Sequence, residues 1–229
     1  MKKAIVCFNN GVDRYIFKQK RQEESISNIG FDGAYKCFGS FEEIGCQHHS
    51  VTPYAFKAKA IDKMRQEGFD VVLWIDSPVY CTQNIDKVFQ YIVDNGILLF
   101  DNIGFTIGDF TSDTCLGIMD MTRAESFLHP MVMACVMGFD FRNEKATSIF
   151  NEYLRLSNVH GAYEGDWIND KFQVSNDYRV KGHRHDQSVI SILAVKNGIK
   201  LTHPNSTFFA YFNNPGHLPH AESVCLISH

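Results

Sequence analysis

The chain has 229 residues, 45% of them hydrophobic and 21% charged, with a formal net charge of -4. That length suits one α/β domain or two small ones, and burying roughly 70% of the unfolded surface leaves no need for a metal or disulfide staple. The acidic balance gives no overall attraction to nucleic acid or to anionic membrane, so a phosphate-bearing ligand needs a local basic or backbone-donor site. In chain order, Ala4–Phe8 reads as a buried strand, closed by the turn signal Asn9-Asn10-Gly11. Val12 to Asn28 has apolar residues at loose helical spacing, and Gly30 ends it. Ala34–Phe38 is a second strand, and Gly39 to Thr52 is irregular. Pro53 to Gly68 reads as a helix, with Pro in the first turn and an apolar stripe through Ala55, Phe56, Ala60, Ile61 and Met64. Val71–Ile75 is apolar on both faces, as a central parallel strand should be. Asn84 to Asp94 is a helix and Ile97–Phe100 a strand.

Thr111-Ser112-Asp113 can cap one short helix and Met121-Thr122 can start another; Met131–Phe139 is a mixed apolar strand. Asn143 to Asn158 is a helix capped by Asn143, and Gly161 to Arg184 is a long irregular segment, hence a functional candidate. Asp186 to Asn197 is a helix ended by Gly198, followed by short strands at Ile199–Thr202 and Thr207–Phe212. The β-α-β-α-β opening predicts a single domain with a mainly parallel mixed sheet and helices on both faces. Its halves divide at residues 1–102 and 103–229. Ligands in such sheets sit beyond the carboxyl ends of the strands, which puts Asn9-Asn10-Gly11, Asp76-Ser77 and Asp101-Asn102 on one rim.

Seven scattered cysteines with no CxxC pair suggest neither a zinc site nor a disulfide framework, and reduced thiols fit a cytoplasmic protein. The five apolar residues after Met1-Lys2-Lys3 are too few for a signal peptide, and no run approaches the ~20 of a membrane span. Asp76, at the mouth of the most apolar strand, could bind a divalent cation, hold a ribose hydroxyl or cap the following turn; Asp101 holds the same position on the next strand. Lys57 and Lys59 near a helix N-terminus make either a phosphate site or a solvated face. His183-Arg184-His185-Asp186-Gln187 packs ionisable groups after the long loop, where Asp186 or Ser188 can also serve as an N-cap.

Two stretches resemble a known group. Pro53-Tyr54-Ala55-Phe56-Lys57 with Gly68-Phe69-Asp70-Val71-Val72-Leu73-Trp74-Ile75-Asp76-Ser77 resembles the first signature of small bacterial and viral glycosyltransferase-like proteins. His185-Asp186-Gln187-Ser188 before an apolar helix resembles their second. The order of elements from about Ile5 to Thr202 is similar to glycogenin-like transferases of the glycosyltransferase-A fold. The resemblance implies a nucleotide-sugar donor, with UDP as its nucleotide, and a carbohydrate acceptor. It implies Phe8, Asn9 and Asn10 on the base and ribose and Lys57 by the diphosphate or sugar. Trp74, Asp76 and Ser77 then belong to the donor site, with Ala134-Cys135 near the sugar and Asp186 and Gln187 at the reacting centre.

The resemblance also implies a divalent cation, Mn or Mg, held by Asp76 and a C-terminal histidine, His217 or His220; Asp101, a histidine or the ligand's own phosphates would stand in for a missing carboxylate. The sequence departs from the family at one point: the Asp-x-Asp metal motif reads Asp76-Ser77-Pro78 and lacks its second carboxylate. The short tail leaves little room for an acceptor domain, so either the acceptor site is shallow or a second chain, as in a homo-oligomer, helps to form it. Two other readings stand beside the transferase. A nucleotidyltransferase-like enzyme would want a Gly-rich basic loop where Asn9 to Arg14 has one Gly and one Arg. A non-catalytic carbohydrate- or partner-binding protein of the same fold would explain the lost carboxylate.

Overall fold

The computed structural model describes residues 1–204, 208–211 and 225–228. The chain runs β1 (Lys3–Phe8), α1 (Asp13–Asn28), β2 (Ala34–Phe38), α2 (Ala55–Gln66), β3 (Val71–Ile75), β4 (Val79–Cys81), α3 (Asp86–Asn95) and β5 (Ile97–Thr106). A turn of 3-10 helix (Ile107–Phe110), α4 (Asp113–Ile118), α5 (Arg123–Ser126), β6 (Pro130–Asp140), α6 (Glu144–Leu156), α7 (Asp186–Lys196), β7 (Phe209–Tyr211) and β8 (Leu226–Ser228) follow.

The main sheet has the order β2-β1-β3-β6-β5, with β3 at its centre. β1 pairs in parallel with both β2 and β3, whereas β6 is antiparallel to β3 and to β5. Alternate residues of each strand serve opposite faces. Ala4, Val6, Val72 and Trp74 pack with residues of α2, α6 and α7; Ile5, Val71, Leu73 and Ile75 pack with residues of α1 and α3. All five residues of β3 are buried, which explains why its sequence is continuously apolar rather than alternating. No helix among the described residues is long and apolar enough to cross a membrane.

Several boundaries differ from the sequence reading. α2 begins at Ala55, not Pro53, because Tyr54 takes a left-handed backbone (φ 60°) that no helix interior accepts. β5 runs on to Thr106, and the expected strand at Ile199–Thr202 reduces to one parallel bridge, Phe100 to Thr202. The strand expected at Thr207–Phe212 is β7; Thr207 and Phe212 themselves lie outside the described residues. β4 and β8, three residues each, were not foreseen; with β7 they form a second sheet in the order β4-β8-β7.

One irregularity shapes the rim. The register of β6 against β5 jumps between Leu99, opposite Met137, and Phe100, opposite Met133, so Ala134, Cys135 and Val136 have no partner on β5. Such an insertion re-aims backbone groups. Here Cys135 turns its carbonyl to the Asp76 N–H (2.8 Å), and the Ala134 carbonyl faces Lys57.

Candidate active site

β1 and β3 are parallel, so Phe8-Asn9 and Ile75-Asp76 end on the same rim. A cavity of about 370 Å³ opens there, lined by Phe8, Asn9, Asn10, Phe41, His48, His49, Phe56, Trp74, Asp76 and Ser77 among others. Its wall is aromatic: Phe8 stacks on Phe56 with ring centroids 4.7 Å apart and lies 4.9 Å from Phe41. Asn9 is nearly buried and spends its amide on Gln19 (2.8 Å) and its carbonyl on the Gly11 N–H (3.1 Å), which fixes the turn after β1. The Asp76-Ser77-Pro78 turn is held from behind by α1. Gln22 Nε2 donates to the Asp76 and Val79 carbonyls at 2.9 and 2.8 Å, and Arg21 to the Pro78 carbonyl at 2.8 Å.

At the floor of this cavity Lys57, only 4% exposed, stands between two carboxylates. Its Nζ lies 3.1 Å from Asp76 Oδ1 and 3.3 Å from Asp186 Oδ2, and donates to the Ala134 carbonyl at 2.9 Å. An ammonium has three N–H donors, and these three oxygens account for all of them. Trp74 Nε1 donates to the same Asp76 Oδ1 at 2.8 Å, and the Tyr153 hydroxyl to Asp186 Oδ2 at 3.5 Å. Burial works against the Lys57 ammonium, but Asp186 and Asp76 outweigh it and raise its pKa. Burial pushes Asp186 up to about 6, against the pull of Lys57. Lys59, for which the sequence left open a phosphate site or a solvated face, bonds Asn158 Oδ1 on the surface (3.1 Å).

A second cavity, about 530 Å³, meets the first at Tyr54, Lys57, Asp76 and Pro78. It is further lined by Asn102, Phe105, Cys135, Trp167, Arg184, Asp186, Gln187 and Ser228, among others. The polar run before α7 divides its duties. His183 is buried, receives the Ser112 N–H on Nδ1 (3.2 Å) and bonds Ala162 O (3.2 Å); burial pushes its pKa down to about 3. His185 bonds Tyr163 O at 2.8 Å and is pushed down by burial to about 4. Both are neutral anchors of the 161–184 loop, whereas Arg184, Asp186 and Gln187 face the cleft. The expected capping by Asp186 or Ser188 does not occur: His185 is the N-cap residue, Asp186 is turned to Lys57, and Ser188 Oγ donates to Phe110 O (2.6 Å). Burial first, then Asp76, raises the Cys135 thiol, which keeps it protonated and unfit as a nucleophile.

A divalent cation of the kind the family resemblance implies does not fit the described residues. Pro78 stands in the second carboxylate position, Asp76 Oδ1 already meets Trp74 and Lys57, and His217 and His220 lie outside the described residues. Asp101 lines neither cavity, whereas its neighbour Asn102 lines the second. Among the described residues no three His, Cys, Asp or Glu side chains gather to hold an ion.

Sequence reading gave no site role to the rings of Tyr54 and Trp167, which line the second cavity and stack on each other and on His185, with centroids 5.4 to 6.0 Å apart. The long loop that carries Trp167 is ordered around buried Asn169. Its side chain bonds the Ser175 and Val180 carbonyls and the Val174 and Ser175 N–H groups.

No family model matches the chain, and no curated protein does. Among solved structures, it aligns over its whole length with a bifunctional glycosyltransferase, WbbM, at a TM-score of 0.56 and 11% identity. The alignment covers 45% of WbbM, so this chain spans less than half of that protein. It also aligns over its whole length, and over 93% of the other chain, with a glycosyltransferase involved in the glycosylation of the major capsid of PBCV-1. There the TM-score is 0.53 and the identity 15%. At such identities the likeness is one of fold. With a mixed sheet, helices on both faces and a cleft across the carboxyl ends of β1 and β3, the chain has the glycosyltransferase-A-like fold that its two signatures led us to expect.

Proposed function

We propose that the chain is a glycosyltransferase that takes a sugar from a UDP-linked donor and passes it to a hydroxyl of a glycan, polysaccharide or lipopolysaccharide. The observation that carries this reading is the buried Lys57–Asp76–Asp186 cluster where two cavities meet. The aromatic first cavity suits a nucleobase and ribose beside Asn9 and Asn10. The donor sugar lies over the cluster. Lys57 has no hydrogen left for a phosphate, but the outer oxygens of Asp76 and Asp186 can accept sugar hydroxyls, so the cluster suits a polyhydroxylated ring. The bond from the anomeric carbon to the diphosphate breaks with its electron pair leaving on UDP, the acceptor hydroxyl attacks from the second cavity to form the new glycosidic bond, and its proton passes to the departing diphosphate. The Asp186 carboxylate and the Gln187 amide oxygen face the positive charge that grows on the sugar.

The test is incubation with a panel of UDP-, GDP- and dTDP-sugars. Slow release of nucleoside diphosphate is expected with at least one. Thermal stabilisation without release would instead support a binding protein, the reading that Pro78 favours. Asp76→Ala is expected to abolish donor binding in calorimetry; normal binding would remove Asp76 from the donor site.

A further inference from the structure

We propose that Arg184 is an anion-binding group at the acceptor end of the cleft, and that the acceptor is an acidic glycan bearing a carboxylate or phosphate. This rests on the glycosyltransferase reading. Four charged side chains line the second cavity: Lys57, Asp76, Arg184 and Asp186. Lys57 is consumed between the two carboxylates. Arg184 faces no carboxylate among the described residues, so it is the one cation in the cleft left to meet a ligand.

Its geometry is that of a prepared receptor. The guanidinium carbon lies 3.7 Å from the Trp167 ring centroid and 4.3 Å from that of Phe110. One N–H donates to the Trp167 carbonyl at 2.9 Å. Among the described residues the other four donors of the planar fork have no hydrogen-bond partner. Its backbone is fixed as well: the Arg184 N–H reaches Phe110 O (3.1 Å) and Ser188 Oγ (3.2 Å). Rings hold the flat faces, so the edge is presented to the cavity at little entropic cost, the arrangement that reads a carboxylate or phosphate through two parallel hydrogen bonds. A half-buried guanidinium without a counter-charge is also kept at a cost that a bound anion relieves; burial lowers its pKa accordingly. The donor diphosphate is the poorer candidate for that anion. Arg184 lines only the second cavity, whereas the cavity assigned above to the nucleotide is the first.

The experiment uses the whole chain, the sugar nucleotide it hydrolyses, and acceptor pairs that differ in one charge: glucuronate- against glucose-terminated oligosaccharides, and sugar phosphates against their parent sugars. The acidic member of a pair is expected to show a KM about ten- to a hundredfold lower, a preference that shrinks as salt is raised. Arg184→Gln should bring the ratio to about one, and Arg184→Lys should keep part of it. Equal use of neutral and acidic acceptors by the wild type overturns the proposal. So does an Arg184→Gln loss that is the same for both, which is what a structural role gives, or a parallel loss of UDP binding, which would assign Arg184 to the diphosphate. If no sugar nucleotide is turned over, the glycosyltransferase reading fails separately. Calorimetric titration with glucuronate oligosaccharides then decides the anion site: binding that Arg184→Gln removes supports it, and no binding refutes it.

Discussion

Asp186 is a carboxylate with 3% of its surface exposed, and its charge state sets what the cleft can do. Its pKa of about 6 lies above the ordinary carboxylate value near 3.9. For an acid raised in this way, the contribution to folding stability is full below the unfolded pKa and is lost as pH rises through about 6. Ionisation at neutral pH therefore works against the fold, and Lys57 offsets it. For the proposed transfer the sign is reversed, since the form assigned to the reaction there is the carboxylate. We expect kcat/KM to fall on the acid side through about pH 6, and Asp186→Asn to remove most turnover together with that limb. A flat pH–rate profile in the wild type, or unchanged turnover in the variant, would take Asp186 out of the chemistry. Asp76 and Asp186 were legible as site residues because each follows a strong boundary signal, the end of an apolar strand or the start of an apolar helix. Lys57 was legible by type but not by role: its position near a helix start left open a phosphate site or a solvated face, and only the packing of α2 on β1 and β3, which brings its Nζ to the Ala134 carbonyl and two carboxylates, shows its charge already spent. Trp167 was legible only as part of the long irregular segment from Gly161 to Arg184, not as a residue. Its meaning comes from stacking on Tyr54 and His185, far from it in sequence.

Two helices that feed the cleft start in strained backbone. Tyr54 precedes α2 at φ 60° and His185 precedes α7 at φ 51°, and neither offers a side-chain cap. Three other helices, α4, α5 and α6, are capped conventionally, by Ser112, Thr122 and Asn143, whereas α1 and α3 start after Val12 and Ile85 without a side-chain cap. Those caps were readable from sequence because they depend on neighbours three residues away. The strained starts were not, because tertiary contacts impose them: the Tyr54 N–H is taken by His49 Nδ1 (3.1 Å) and the His185 ring by Tyr163 O. β4 and β8 escaped notice for a simpler reason, since three residues carry no periodicity. The loop bearing Trp167 has its own steric lock. A Cβ on Gly182 would lie 2.0 Å from the Trp167 carbonyl oxygen, the atom that receives the Arg184 N–H. Gly182→Ala must therefore part the two segments. We expect a loss of about 1–3 kcal/mol in denaturant unfolding and a raised KM for acceptor. An unchanged melting curve would mean the loop yields freely, and that it does not hold Arg184 rigid.

At the scale of the whole molecule, the cleft has walls from both sheets. The main sheet supplies the rim, and Ser228 of β8 lines the second cavity. Leu226 and Ile227 are fully buried, and β8 bonds β4 on one side and β7 on the other. Deleting residues 225–229 is expected to abolish transfer and to lower Tm steeply, because the small sheet loses its middle strand and part of its buried apolar surface. Thermal denaturation and donor hydrolysis check this; a truncated chain with wild-type Tm and turnover would show the second sheet to be dispensable. The location of β8 also bears on how the chain is made. β8 is synthesised after both strands it joins, and it must slide between them rather than add at an edge. Until it arrives, β4 and β7 each offer unpaired backbone groups to any strand of matching sequence. The matching strand in greatest supply during rapid expression is β8 of a neighbouring nascent copy, so exchange of this one segment between chains is the assembly error to which this architecture is most exposed.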